Sequence, residues 1–148
     1  MDTTLVRGHH FVNLTPHPVS WKTPDGELHT VPSANPGTHT VVVETWTSHS
    51  SDKSHLGGIT CQEKYFGDII GLPSWVEWEV RKDVVFIVGG LVLSAIKEKR
   101  LKDSSSTPQP REVWLNYVAP ATAPTDGASR NAAGQVEYVT RWDVAGFE

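Results

Sequence analysis

The sequence of 148 residues contains a single cysteine, Cys61. A lone cysteine cannot form a disulfide within the chain, and it excludes zinc and iron–sulfur sites that are built from several thiolates. Basic residues are also few: 13 lysines and arginines stand against 17 aspartates and glutamates, for a formal charge of -4. Proteins that bind the phosphate backbone usually carry the opposite balance, so we expect no nucleic-acid partner.

Long hydrophobic runs are absent as well. The longest apolar run covers residues 84–93, is interrupted by Gly89 and Gly90, and is too short to span a bilayer. The first eight residues lack the basic region and the apolar stretch of a secretory signal peptide. We therefore expect a cytoplasmic protein with no membrane partner.

The chain has the length of one domain, and it contains six tryptophans. A chain of this length can bury one core, and 38% apolar residues with 20% charged residues are typical of a globular protein. We predict one domain over residues 1–148. Trp21, Trp46, Trp75 and Trp78 fall in the predicted antiparallel part of the chain, whereas Trp114 and Trp142 fall in strands that flank a long loop.

Segments rich in β-branched or alternating apolar residues predict several strands before residue 84. The sequence Thr-Pro-Asp-Gly at 23–26 predicts a hairpin turn, because proline presets one φ and glycine tolerates a positive one. Cys61 falls inside a predicted strand and is expected to be a small buried hydrophobe. The predicted strands cover residues 10–14, 19–22, 27–31, 38–47 and 58–65, with an edge strand around 75–80.

The pattern changes at residue 84. Residues 84–88, Val-Val-Phe-Ile-Val, form the continuous apolar run of a strand that is covered on both faces. Two glycines, a helical pattern, a polar linker and a further strand follow, which together predict a right-handed βαβ unit. The helix, the linker, the strand and a final strand are predicted over 91–100, 102–111, 113–118 and 135–142. The predicted fold class is α+β, a single domain with a mostly antiparallel twisted sheet and one main α-helix in a βαβ crossover.

The order of short motifs resembles a family of small, largely uncharacterised bacterial and phage proteins. The motifs that carry the resemblance are Asn-Leu-Thr-Pro-His-Pro-Val at 13–19, Phe-Gly at 66–67 with Gly-Leu-Pro at 71–73, and Phe-Ile-Val-Gly-Gly-Leu-Val at 86–92. The closing signature is Pro-Ala-Thr-Ala-Pro-Thr-Asp-Gly-Ala-Ser-Arg at 120–130, with Gly-Gln-Val at 134–136 and Val-Thr-Arg at 139–141. The family usually has serine at the position of Gly89, and this chain carries extra length at 48–55 and 102–111. The resemblance implies one compact domain and points to two loops, but it implies no particular reaction.

The first candidate site is the loop at 15–18. A histidine between two prolines is held on a rigid loop, and imidazole is suited to proton transfer near neutral pH. We therefore assign His17 a catalytic role and Thr15 a ligand-binding role. The alternative is that His17 fills a turn and that its ring is hydrogen-bonded to the backbone.

The second candidate site is the start of the predicted helix, where Gly89 and Gly90 leave backbone N–H groups open to an anion. The alternative is a tight strand-to-helix turn that needs glycine.

The third candidate site is the loop at 119–133. In a βαβ unit both strands end at one edge of the sheet, so this loop is expected beside Gly89 and Gly90. Arg130, with Thr122, is assigned to ligand binding, because a guanidinium can hold a carboxylate or a phosphate with two hydrogen bonds. Asp126 is assigned a catalytic role as a base. The alternative is a structural loop with an Asp–Arg pair.

Cofactors and metals are not expected. All seven histidines lie in the first 55 residues but show neither HxH nor HExxH spacing, which leaves a site of dispersed histidines as the open alternative. The sequence has no Gly-x-Ser-x-Gly elbow for a nucleophilic serine.

These patterns support a small-molecule-binding protein that can act as a cofactor-free acid–base enzyme: an isomerase, cyclase, lyase or hydrolase for a small anionic or aromatic metabolite. The alternative is a non-catalytic protein–protein interaction module of phage or defence-related origin, which uses an exposed tryptophan surface. A homo-oligomer with a shared site is a third hypothesis, in which an edge strand at 77–79 and the apolar face of the helix form the subunit contact. The position of the tryptophans is expected to discriminate between the first two.

Overall fold

The structure is a computed structural model, and it describes residues 3–38, 40–48, 55–71, 84–102 and 117–144. The described part of the chain is mostly β-structure with one helix, in agreement with the predicted α+β class. Within these ranges, no helix combines the length and the apolar character that crossing a membrane requires. The elements are β1 (Thr4–Val6), β2 (His9–Asn13), β3 (Val19–Lys22), β4 (Leu28–Val31), β5 (Val42–Ser48), β6 (His55–Leu56), β7 (Ile59–Thr60), β8 (Glu63–Ile70), β9 (Val84–Ile87), α1 (Gly90–Lys102), β10 (Tyr117–Pro120), β11 (Ser129–Arg130), β12 (Val136–Tyr138) and β13 (Trp142–Val144).

The central sheet has five strands in the order β1-β2-β9-β10-β13. Its edge strands β1 and β13 are antiparallel to their neighbours, whereas β2, β9 and β10 run parallel. The parallel pairing of β2 with β9 differs from the prediction, which included a single parallel crossover. β2 is covered on both faces like β9. It contains the polar residues His9, His10 and Asn13, so it lacks the continuous apolar run from which such a strand is recognised in a sequence.

One face of the central sheet packs against α1 and the β5–β8 hairpin. Phe86 of β9 and Tyr117 of β10 stack with their ring centroids 5.2 Å apart, in one buried cluster with Val92 and Ile96 of the helix. The apolar stripe of α1 is thus buried within the chain and is not available as the subunit contact expected of it. The other expected contact, the edge strand at 77–79, lies outside the described residues.

The opposite face of the sheet is covered by the β3–β4 hairpin and the segment around β12. Phe11, Trp21 and Val139 are buried there together, and Trp142 packs against them. The Trp21 ring lies 4.9 Å from that of Phe11 and 5.2 Å from that of Trp142, measured between centroids. Two tryptophans that the sequence assigned to different parts of the chain therefore belong to one cluster.

The prediction that the apolar run at 84–88 is a strand covered on both faces is confirmed. The residues that are at most 5% exposed are Val84, Phe86, Ile87 and Val88. Alternate residues of this strand enter the two clusters on opposite faces of the sheet. The helix begins one residue before the predicted start, and Leu93 N donates its hydrogen bond to the carbonyl of Gly89 at 3.0 Å.

Several predicted segments differ from the structure. The predicted strand at 38–47 begins only at Val42, and the predicted strand at 58–65 divides into β7 and β8. The loop at 119–133 contains β11, which pairs with β12, and the predicted strand at 135–142 divides into β12 and β13 in two different sheets. Cys61 lies between β7 and β8 and is half-buried, so its placement inside a strand is wrong. The predictions for residues 75–80, for Trp114 and for most of the linker at 102–111 lie outside the described residues.

Candidate functional site

The parallel strands β2, β9 and β10 end at the same edge of the central sheet. Asn13 lies opposite Ile87, and Ile87 lies opposite Val118. The pairing continues past the strand ends, because Leu14 N donates to the carbonyl of Ile87 and Val88 N donates to the carbonyl of Val118, both at 2.9 Å. The loops that leave this carboxyl edge are the three segments singled out in the sequence, at 15–18, at 89–90 and from 121 onwards.

A buried asparagine organises the first of these loops. Asn13 is 1% exposed, and its Nδ2 donates to the carbonyls of His17 at 2.7 Å and of Val31 at 3.1 Å. Its Oδ1 accepts from Thr15 N at 3.0 Å and from Thr15 Oγ1 at 2.6 Å. These bonds link β2 to the loop and to β4, so Asn13 determines the path of the backbone towards His17.

Of the two site residues predicted in this loop, Thr15 is bound to neighbouring residues and His17 is exposed. The hydroxyl of Thr15 is bound to Asn13, and its carbonyl accepts from Ser33 Oγ at 2.5 Å. His17 is exposed, and within the described part of the chain its ring makes no hydrogen bond or ion pair. Sequence reasoning missed Asn13 and Ser33. The available signal was an asparagine at a strand end with threonine two residues later, which is the pattern of an Asx-turn.

The second loop leaves open space around its two glycines. Gly89 and Gly90 are exposed, neither has a positive φ, and a Cβ placed on either would meet no atom within 4 Å. β9 ends at Ile87 and α1 begins at Gly90, so the connection is a tight strand-to-helix turn, but its conformation does not require glycine. The exposed glycines leave room for a small ligand beside the first backbone N–H groups of α1.

The third loop is held together by its own polar side chains. Asp126 Oδ2 accepts from Ala123 N at 2.9 Å, which closes a turn. Arg130 Nη1 donates to the carbonyl of Gly134 and Nη2 to that of Thr122, each at 2.9 Å. Asp126 and Arg130 thus bind backbone atoms, and the Asp–Arg pair considered for this loop is not formed.

A cleft of about 410 Å³ lies beside β2, between Thr4 at the start of β1 and the segment 31–34. Phe11 and Asn13 form part of its wall. It combines apolar surface with hydroxyl and amide groups, and its lining residues in the described chain include no charged side chain. The cleft therefore suits a small neutral group more than an anion.

A group of charged side chains connects the turns of two hairpins. Arg7 Nη2 lies 2.9 Å from Asp25 Oδ2 and 2.8 Å from Glu27 Oε2. Hydrogen bonds from Thr23 and from Arg7 lower the pKa of Asp25 to about 2, and the two carboxylates raise the pKa of Arg7. Arg7 has a φ of 48°, a left-handed conformation that is uncommon for a residue with a side chain. The contacts are those of a surface clamp between the hairpins.

The described ranges contain no group of three or more histidine, cysteine, aspartate or glutamate residues arranged to hold a metal ion. Of the tryptophans considered for an exposed surface, Trp21 is 8% exposed and belongs to the core, whereas Trp75 and Trp78 lie outside the described residues. Comparison with protein-family models, with curated proteins and with solved structures finds no match for this chain.

Proposed function

We propose that the protein binds a small anionic or aromatic metabolite at the carboxyl edge of β2, β9 and β10. The observation that carries the proposal is that three parallel strands end together there and lead into the loops at 15–18, 89–90 and 121–130. Ligands in sheets with parallel strands collect at this edge, because loops converge there and helices begin there.

The groups at the edge have separate roles in this proposal. The open backbone at Gly89 and Gly90 receives the anionic end of the ligand. A guanidinium has five N–H groups, and the two that Arg130 gives to carbonyls leave others for the ligand. Thr15 and Thr122 shape the walls of the site.

His17 is the proton-transfer group if the ligand is a substrate, since its imidazole is exposed and held on a loop that Asn13 fixes. Asp126 keeps one carboxylate oxygen that Ala123 does not use, and it is the second acid–base group of the proposal. The reaction class is cofactor-free acid–base chemistry, as in an isomerase, cyclase, lyase or hydrolase. The proposal includes a single domain over residues 1–148, a βαβ crossover through α1, and a cytoplasmic location.

A thermal-shift screen with carboxylated, phosphorylated and aromatic metabolites tests the proposal, because a ligand that binds the folded state raises the apparent melting temperature. We expect a ligand that stabilises the protein to lose most of its effect in H17A and in R130A. R141A is the matched control, since Arg141 is exposed and lies outside the three loops. A stabilising ligand whose effect is the same in all three variants would show that it binds elsewhere.

The second candidate function is that of a protein–protein interaction module. The observation in its favour is the high exposure of several large apolar side chains on the β5–β8 and β6–β7 hairpins. Trp21, one of the four tryptophans considered for such a surface, is buried and does not contribute to it. A stable complex found in size-exclusion chromatography with light scattering, lost on changing those side chains, is the expected result.

A further inference from the structure

Exposed apolar side chains are concentrated on one part of the molecule, the arm, which consists of residues 42–48 and 55–70 in the β5–β8 and β6–β7 hairpins. Of the nine large apolar side chains that are exposed in the described ranges, five belong to the arm. Exposed apolar side chains that are concentrated on one part of a folded protein mark an interaction site more often than scattered ones do. The five are Val42, Leu56, Ile59, Tyr65 and Ile70.

The arm is attached to the core through one face. Val43 and Ile69 lie opposite each other in the hairpin and pack against the buried cluster that includes α1. The next pair, Val42 and Ile70, is 42% and 51% exposed. Because successive side chains in a strand point to opposite faces, Val42 and Ile70 belong to an open outer face.

The β6–β7 hairpin carries the most exposed apolar pair. Leu56 and Ile59 lie opposite each other and are 76% and 75% exposed. Gly57 and Gly58 have φ values of 60° and 85°, which form a tight two-residue turn between them. The pair contributes at most a weak cross-strand contact to the hairpin, so the contacts within the described residues do not account for two large aliphatic side chains at that position.

Carboxylates accompany these apolar side chains. The arm contains three acidic residues, all exposed, and one lysine: the acidic residues are Glu44, Glu63 and Asp68. An irregularity in the pairing between Val43 and Thr45 brings Glu44 towards the part of β8 that contains Asp68. Two like charges on neighbouring strands weaken a hairpin, and a cationic partner removes that cost.

We propose that the outer face of the arm docks a basic and apolar segment of another protein, in which lysine or arginine and aliphatic residues lie two positions apart and therefore project from one face of an extended conformation. On β8, Glu63 lies two positions before Tyr65, and Asp68 lies two positions before Ile70, so each carboxylate shares a face of the strand with an apolar side chain. A partner whose cationic and apolar side chains are two positions apart presents both kinds of group to this face. The inference rests on the second of the two functions proposed above. It adds the chemistry of the partner.

Charge argues against a second copy of this chain as the occupant of the arm. Contact between two arms places carboxylates against carboxylates, and the whole chain carries a formal charge of -4. Like-charge contacts of this kind disfavour association.

The experiment uses the full chain and three fluorescently labelled ten-residue peptides, which repeat Leu-Ser-Lys-Ser (the Leu–Lys peptide), Leu-Ser-Glu-Ser (Leu–Glu) or Ser-Ser-Lys-Ser (Ser–Lys), so that the two recognition groups of each repeat project from one face of the extended peptide. Fluorescence anisotropy at low and at high salt measures their affinity. We expect the Leu–Lys peptide to bind at least about tenfold more tightly than either of the other two, because it alone supplies both apolar and cationic groups. Its affinity is expected to fall as salt rises.

Variants locate the binding surface. L56S/I59S and E44Q/D68N are each expected to weaken Leu–Lys binding by about fivefold or more. The matched controls are L28S and D143N, which change an exposed leucine and an exposed aspartate outside the arm and should leave binding unchanged. Circular dichroism checks folding, and Y65S replaces L56S/I59S if that variant unfolds.

The peptide and variant measurements test the charge of the partner and the location of the docking surface separately. Equal binding of the Leu–Lys and Leu–Glu peptides would overturn the proposal that the partner is basic, but it would still support an apolar interaction module. Arm variants that bind as the wild type, or a loss confined to L28S or D143N, would overturn the arm as the surface. If none of the peptides binds, the docking proposal is overturned, whereas the small-molecule site at the sheet edge is unaffected.

Discussion

At the scale of single residues, Asn13 shows how one polar side chain can position a loop. Its amide makes four hydrogen bonds while the residue is 1% exposed. A buried amide that satisfies both its donors and its acceptor is stabilising, whereas removing it leaves its partners without these hydrogen bonds.

We therefore expect N13A to lower the free energy of unfolding by about 2–4 kcal/mol, because buried carbonyls of β4 and of the loop lose their donor. Urea denaturation followed by circular dichroism measures this loss. N131A is the matched control: Asn131 also accepts two backbone N–H groups, but it lies in a more exposed turn, so its loss should be below about 1 kcal/mol. Equal losses in the two variants would contradict the special role of Asn13.

The Asp25 carboxyl provides a residue-scale prediction about pH. The hydrogen bond from Thr23 is the largest cause of its low pKa, followed by the one from Arg7. Because the folded-state pKa of about 2 lies below the ordinary value of 3.8, ionised Asp25 stabilises the fold above pH 3.8, and this contribution is lost as the pH falls through 2.

In T23A we expect the pKa of Asp25 to rise towards its ordinary value, as measured by an NMR titration of its carboxyl carbon. The stability that Asp25 contributes would then be lost at a higher pH than in the wild type. T30A is the control, since Thr30 bonds Ser20 on the neighbouring strands and does not contact Asp25. A titration curve for Asp25 that T23A leaves unchanged would show that Thr23 is not the cause of the low pKa.

At the scale of elements, two glycines near strand ends have different reasons for being there. Gly90 begins α1 without a positive φ and with open space where a Cβ would be. Gly71, at the end of β8, has a φ of 92°, and a Cβ there would approach the carbonyl oxygen of Thr40 to 2.0 Å. Only the second position requires glycine for the fold.

We expect G90A to be neutral or to stabilise the protein by about 0.4–1 kcal/mol, because alanine reduces the freedom of the unfolded chain. G71A is expected to cost about 2 kcal/mol or more, since it adds a backbone clash to a strained φ. Thermal and urea denaturation of both variants check the contrast. A marked loss of stability in G90A would mean that the start of the helix is more crowded than the structure indicates.

At the scale of the whole molecule, the central sheet is covered on both faces, whereas the arm is covered on one. The backbone bonds Leu14 N to Ile87 O and Val88 N to Val118 O lie between the two buried clusters. Opening them requires both layers to separate, which is close to global unfolding.

Native-state hydrogen exchange is therefore expected to be at least about 100-fold slower at the amides of Leu14 and Val88 than at those of Leu56 and Ile59. The exchange rates, measured by NMR and corrected for intrinsic rates, test this difference. Comparable protection in the β6–β7 hairpin would show that the arm is covered in solution, for instance by self-association. Size-exclusion chromatography of the same sample separates that case from a stable monomeric arm.

Local patterns in the sequence predicted local structure well. The run at 84–88, the helix after it and the turn at 23–26 depend on neighbours in the chain: a continuous apolar stretch, a helical repeat, and the φ preferences of proline and glycine. In the turn, Gly26 has a φ of 89° and its N–H donates to the carbonyl of Thr23, as the dipeptide preferences require. The candidate loops were found for the same reason, since they follow recognisable strands.

Partners that are distant in the chain could not be predicted in this way. The sequence shows that Asn13, Asp126 and Arg130 are polar, but their hydrogen-bond partners are set by which loops the sheet brings together. The parallel pairing of β2 with β9 joins residues more than 70 positions apart. It exists because both strands need cover on both faces, and the helix layer and the β3–β4 layer provide that cover only once the whole chain has folded. The sequence by itself determined the buried strand at 84–88, the helix after it and the turn at 23–26. The tertiary structure alone decided that three loops share one edge and that the arm presents an open face.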